Sequence, residues 1–423
     1  MSKKMNENII GEVIFDPKKR WYNAFLNTLQ PLRPPPKVII KDETLREGEE
    51  TPGVVLTLED KLRVASALAE IGIQEVEVGY SGAIREHYEF TKRLKESGIK
   101  LRLSSHTRAY TPGEEWKKEI DLVIESGADI VNLLARASTF LTDYLTPWLK
   151  KEEVPERVRA CVEYAKGQGA FTAFGLSDPA RTRLDLVINC ILASVEAGVD
   201  RLYVYDGPGC ATPETISFLV RLYRALSNDK CEIAVHAHND FGLATANTIA
   251  GALAGAKVLD TTVNGLGDRA GNADFGEVVA VLTVFYNVDT GIKLEKLYEL
   301  SKLVANIYGI PIHPMKPLVG ENVYRHETDS HVQAILRGDW YTFEVIRAEA
   351  IGRRRLLLFG PSTLHTGKSS AINVKIEQMG YTATEEDLKA IADRIREIIN
   401  RKKFATEEEV ERIIKEYFAQ QRW

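Results

Sequence analysis

The stretch Val235 to Asp240, VHAHND, holds two histidines one residue apart in an otherwise apolar run. Side chains at i and i+2 of a strand share a face, so the imidazoles of His236 and His238 can converge on one point. That arrangement suits a divalent metal, with two hydrogen-bonded histidines at a strand end as the alternative. Earlier in the chain, DETLREGEE supplies Asp42, Arg46, Glu47 and Glu50. Glu47 is the carboxylate expected to join the imidazoles, because two histidines, one acid and open positions describe a catalytic metal site and not a structural one. With Arg46 beside it, such a centre could chelate a 2-oxo acid and stabilise negative charge developing on its oxygen; a strand-end Arg46–Glu47 ion pair is the simpler alternative. Glu77, His106, Arg108 and, within NGLGDRAGN, Asn272 are the further polar candidates. The glycines of that last segment permit a tight backbone near a ligand.

These residues fall at the ends of apolar runs that alternate with amphipathic segments. The runs are Val38 to Leu45, Glu75 to Gly79, Leu101 to His106, Ile130 to Ala135, Phe171 to Leu176, Arg201 to Asp206, Glu232 to His238 and Val258 to Gly265. Helix starts are signalled between them by Thr57 before Asp60, by Thr111-Pro112 before Glu114 and by Thr212-Pro213-Glu214. Eight strand-helix units in roughly 250 residues predict an α/β fold, a parallel (β/α)8 barrel whose C-terminal mouth collects the candidates above. A doubly wound open sheet is the alternative, but no GxGxxG follows the first strand. The expected organisation is an N-terminal extension over 1–36, the barrel over 37–290 and a mostly helical region over 291–423. Thr382 to Lys403 and Thr406 to Phe418 are the clearest helices of that last region.

Composition narrows the class. Of 423 residues 44% are hydrophobic and 27% charged, with a net charge of -5 and no long apolar run, so neither a membrane span nor a nucleic-acid footprint is expected. The basic N-terminus lacks the apolar segment of a secretory signal, which predicts a cytoplasmic protein. Cys161, Cys190, Cys210 and Cys231 have no metal-binding or disulfide-framework spacing and are expected to be packing residues. GPSTLHTGKSS resembles a phosphate loop but places six residues between Gly360 and Gly367, where four are needed.

DETLREGEETPGV, HAHNDFGLATANT, TTVNGLGDRAGNA and, beyond the barrel, VGENVYRHETDSHVQAIL resemble the signatures of the metal-dependent Claisen-condensing acyltransferases. That family comprises the homocitrate, isopropylmalate and citramalate synthases. The resemblance runs from about Lys37 to Lys368. It implies a barrel followed by a helical region that reaches into the partner subunit of a homodimer, with an acyl-CoA as co-substrate and Mg, Mn or Zn as the metal. It also implies metal binding by Glu47, His236 and His238 with Asn272 close by, and oxyanion stabilisation by Arg46. His331 is implied to polarise the thioester or assist proton transfer across the dimer interface, with Tyr341 as a catalytic hydroxyl near it, while His326 is expected to be structural. Glu50, Glu77, His106, Arg108 and Gly207 are the positions expected to meet the substrate.

Several residues depart from the family pattern. Glu50 stands where the family has Gln, Gly207 where it has Thr, and Ala234 where it has Glu. Ala173 and Ser177 occupy the places around the fifth strand where homocitrate enzymes carry Arg and Glu, and Phe343 aligns with the family Tyr. These changes touch acceptor binding more than the metal, so reaction class is better determined than substrate. A carbon-carbon lyase or aldolase on the same fold, or a non-catalytic paralogue, remain alternatives. Too few residues follow Lys368 for a regulatory domain of typical size.

Overall fold

The computed structural model describes residues 13–364, 367 and 370–420. The basic stretch before Val13 and part of GPSTLHTGKSS lie outside them. The chain folds as two units, one spanning Leu26–Pro311 and the other joining Ile312–Trp423 to the residues up to Phe25. In the second unit an antiparallel hairpin of β1 (Val13–Phe15) and β2 (Tyr22–Ala24) continues through a bridge from Trp21 to Ile346.

Eight parallel strands close the first unit into the expected barrel. They are β3 (Ile39–Asp42), β4 (Glu75–Glu77), β5 (Arg102–Arg108), β6 (Ile130–Ala135), β7 (Phe171–Leu176), β8 (Arg201–Asp206), β9 (Glu232–Ala237) and β10 (Val258–Thr261). Closure is made by β10 on β3, with Val258 opposite Ile39 and Thr261 opposite Asp42. Helices cover the outside and bury residues such as Val64, Leu68, Ile120, Val158, Ile191 and Leu219. Thr57 and Asp60 form the reciprocal cap of the helix Leu58–Ile71, and Thr212 caps Pro213–Ser227 through the Thr215 amide. Thr111 caps nothing: its hydroxyl bonds the Glu119 carboxylate at 2.9 Å, and that helix begins only at Glu115.

The barrel-side unit extends past the expected end at 290. The helix Leu297–Tyr308 buries Leu297, Leu300 and Val304, and the Tyr308 hydroxyl donates to the Thr44 carbonyl at 2.7 Å, which holds this helix in the first unit. The second unit is mostly helical but also contains a sheet of β11 (Arg325–His326), β12 (Leu356–Phe359) and β13 (Ala405–Thr406). Its core packs Phe359, Ile372 and Ile376 against Leu388, Ile391 and Ile395 of the helix Glu385–Lys402 and Ile414 of Glu407–Gln420. Cys161 and Cys190 are buried and Cys231 half-buried, whereas Cys210 is exposed after β8, so it is not a packing residue.

Alternation on the strands sends unusual side chains into the barrel. Arg201 of β8 crosses the interior to Glu75 of β4, with Nη2 to Oε2 at 3.0 Å, and also reaches Glu232 of β9 at 2.9 Å. Above it, the Tyr203 and Tyr205 rings stack at 4.9 Å. Arg201 is fully buried, so Arg201→Ala should leave the buried Glu75 carboxylate with only the longer contact from Arg102 at 3.5 Å and cost about 3 kcal/mol. Urea unfolding would register this as a lower midpoint, and Arg201→Lys should lose less.

Candidate active site

At the C-terminal mouth, β9 delivers His236, with His238 one residue past its end, and a tight turn over Glu47–Glu50, in the loop after β3, delivers Glu47. His236 Nε2 and His238 Nε2 are 3.2 Å apart, and Glu47 Oε1 lies 3.5 Å from the first and 3.7 Å from the second. Donors about 2.1 Å from a shared cation sit about 3.0–3.4 Å from one another, so these three atoms are spaced as ligands of one ion. His236 Nδ1 faces Asp260 Oδ2 at 3.3 Å, which fixes Nε2 as the coordinating nitrogen. Asn272 lies at the rim of this group, with Nδ2 3.4 Å from Glu47 Oε2 and an Oδ1 that has no hydrogen-bond partner among the described residues. The donor set fits a divalent metal.

Its electrostatics are set from below. Lys41 is wholly buried, and its ammonium meets Glu43 at 2.7 Å, Glu77 at 2.9 Å and Asp260 at 3.6 Å. Arg46 pairs with both Glu43 and Glu47, and its Nη2 lies 3.1 Å from His106 Nε2. Burial alone would raise the Glu47 carboxyl, but Arg46 and the two histidines hold it well below the usual range. Burial would likewise lower His236, yet Glu43, Asp260 and Glu47 push it up to about 10. His238, lowered by burial and then by its charged neighbour, falls to about 4. His106 is held neutral by burial and by Arg46.

A cavity of about 630 Å³ opens above this group, large enough for a small organic acid. Arg46, Glu47, Glu50, His106, Gly207, His236 and His238 line it. Glu50 sits on its exposed rim, 3.8 Å from Arg46, and burial of its carboxyl against nearby acids raises it to about 7. Gly207 meets the cavity without a side chain because a β-carbon there would come within 2.6 Å of the Ser177 carbonyl. Gly271 turns the last loop at φ +85, where a β-carbon would overlap the Gly265 carbonyl.

Two expected substrate contacts are placed elsewhere. Arg108 is not a cavity residue: Glu119 takes its guanidinium at 2.5 and 3.2 Å. Glu77 lies beneath the site, held by Lys41 and by the Ser104 hydroxyl at 2.8 Å. In the second unit Phe343 stacks on His331 at 3.6 Å, whereas the Tyr341 hydroxyl donates to Asp339 at 2.8 Å, so the ring against His331 is not Tyr341. Sequence reasoning missed Lys41, Glu43 and Asp260, although Lys41 and Asp260 each follow a buried apolar residue, Ile40 and Leu259, on their strands. It also missed Tyr80, Arg136 and Tyr205 on the cavity wall, for which no spacing signal exists.

Residues 37–304 match the HMGL-like family, and residues 318–403 match a domain described as homocitrate synthase post-HMGL domain-like. The chain belongs to the HMGL-like family, in the branch that holds the homocitrate and citramalate synthases. Homocitrate synthase of Methanocaldococcus jannaschii is 37% identical over 90% of this chain and 90% of its own length. The (R)-citramalate synthase of the same organism is 35% identical over 90% of this chain and 74% of its own length. An Ignicoccus hospitalis protein named "Probable 2-isopropylmalate synthase" is 35% identical over 90% and 92%. Among solved structures, Bacillus subtilis HMG-CoA lyase shares the barrel fold at 22% identity and a TM-score of 0.56, covering 68% of this chain and 98% of its own. No helix among the described residues is long and apolar enough to cross a membrane.

The charge balance predicts how a metal competes with protons. Below pH 10 His236 carries a proton that a cation must displace, while His238 is already neutral. Calorimetric titration with Mn²⁺ in buffers of different ionisation enthalpy should report release of about one proton per ion near pH 7.5. Apparent affinity should then rise about tenfold per pH unit between about pH 6 and 9. Heats independent of the buffer would contradict this. Glu47→Ala and His238→Ala should each abolish binding.

Proposed function

We propose that this chain condenses an acyl-CoA, acetyl-CoA in the first instance, with a 2-oxo acid in a metal-dependent Claisen reaction, and that water then cleaves the thioester to give a 2-hydroxy di- or tricarboxylate and CoA. The observation that carries this reading is the convergence of Glu47, His236 and His238 beside Arg46 at the floor of one cavity. The relatives named as homocitrate, citramalate and isopropylmalate synthases support the reaction class and leave the acceptor open.

Glu47, His236 and His238 would hold the cation, with Asn272 next to them; when bound, it would chelate the oxo acid and make its carbonyl electrophilic. Arg46, fully charged and locked by two carboxylates, presents a fixed positive edge to the oxygen that gains charge as the carbon-carbon bond forms. Neutral His106 accepts from Arg46 and keeps its plane in place. Glu50, protonated in part near neutral pH, can donate to an acceptor carboxylate instead of repelling it. His331 of the second unit serves as the proton acceptor, supplied by a second copy of the chain in a homodimer.

Thiol release from acetyl-CoA should be measured with a divalent metal and 2-oxoglutarate, 2-oxoisovalerate, pyruvate or oxaloacetate. Release with one acceptor, lost in chelator, is the expected result; silence with every acceptor, or cleavage of a hydroxyacyl-CoA instead, would overturn the reading. Arg46→Ala should keep metal bound and lose about 10²-fold or more in kcat. Mixing Arg46→Ala with His331→Ala protein should restore activity, whereas no recovery would place His331 and Arg46 of one site on the same chain.

A further inference from the structure

In the second unit a carboxylate and two imidazoles form a chain that ends on His331. Glu344 is buried and held by Arg355, with Nε to Oε1 and Nη2 to Oε2 both at 2.5 Å. Its Oε1 lies 2.8 Å from Nε2 of buried His326. Nδ1 of His326 then faces Nδ1 of His331 at 3.3 Å. The Phe343 ring lies flat against His331, with 16° between the planes, and fixes the direction of the imidazole.

This order of contacts decides where the protons sit. A carboxylate already receiving two bonds from an arginine stays ionised and can only accept, so His326 donates from Nε2. The contact between the two Nδ1 atoms holds one proton; with His326 donating from Nε2 to Glu344 and accepting at Nδ1, that proton belongs to Nδ1 of His331. Nε2 of His331 is left with its lone pair and has no hydrogen-bond partner among the described residues. We propose that Glu344 and His326 are positioning residues that hold His331 in the tautomer whose Nε2 is the base. The inference rests on the functional reading above for the identity of the step. In that step the acyl Cα–H bond breaks, the proton passes to His331 Nε2 and the electron pair remains in the enolate. After the carbon-carbon bond forms, the imidazolium returns the proton to the alkoxide oxygen.

Two-bond ¹H–¹⁵N correlation on histidine-labelled wild-type protein near pH 8, with His331→Gln used to assign the signal, tests the tautomer without perturbing the chain. The expected signature is a protonated Nδ1 and a bare Nε2 at His331; a protonated Nε2 would overturn the proposal. His326→Ala should give mixed tautomers and lower kcat by about tenfold or more while KM for both substrates stays within about twofold. Glu344→Gln, which preserves shape, should shift both readouts in the same direction. An unchanged tautomer and kcat in a folded His326→Ala protein would also overturn the proposal. Should wild type release no thiol with any acceptor, the functional reading fails on its own, and the ¹⁵N spectrum still decides the tautomer.

Discussion

An ammonium group cut off from water must find its counter-charges inside the protein, and Lys41 at the centre of the barrel imposes that condition on three strands at once. Glu43 continues β3, Glu77 ends β4 and Asp260 lies on β10, and all three turn toward the same nitrogen. Each of these acids also has a second task. Glu43 carries Arg46, Glu77 accepts from Ser104, and Asp260 orients His236. The donor geometry at the mouth is thus inherited from a charge balance one layer lower, in a medium where an unmatched charge costs several kcal/mol.

A barrel interior filled with aliphatic layers would be easier to stabilise than this one. Here two ionic layers, Arg201 with Glu75 and Glu232 below and the Lys41 group above, are separated by the Tyr203 ring, over which Lys41 sits at 5.0 Å. Charged groups in fixed positions have little freedom to reorient, and a reaction that builds negative charge benefits from an environment that needs no rearrangement. The stability given up in the core is consistent with preorganisation at the top.

The barrel was legible because its strands read as discrete apolar runs. β6, β7 and β8 occupy the same residues that periodicity predicts, whereas β3 and β10 stop early, since Glu43 and Thr262 already leave the ladder to build the mouth. The imidazole pair was legible from the two-residue repeat. Lys41 and Glu43 follow the same repeat, but charges in an apolar run read as a strand ending, not as an interior ion cluster. Arg108 could not be placed, because the acid that captures it, Glu119, lies on the following helix. Which ring stacks on His331 was not legible either: Tyr341 lies within the turn Trp340–Thr342 and Phe343 just after it, and spacing alone does not say which of the two faces the imidazole.

The hairpin of β1 and β2 belongs with residues that come some three hundred positions later: the Tyr22 amide donates to the Val345 carbonyl, and the Arg347 amide to that of Arg20. Closing so long a loop carries an entropic penalty that grows only logarithmically with length, yet it must await the later partner. On the ribosome the intervening barrel can therefore fold while the early segment is still unmatched, so the apolar face of the hairpin spends the whole of barrel synthesis in need of shielding.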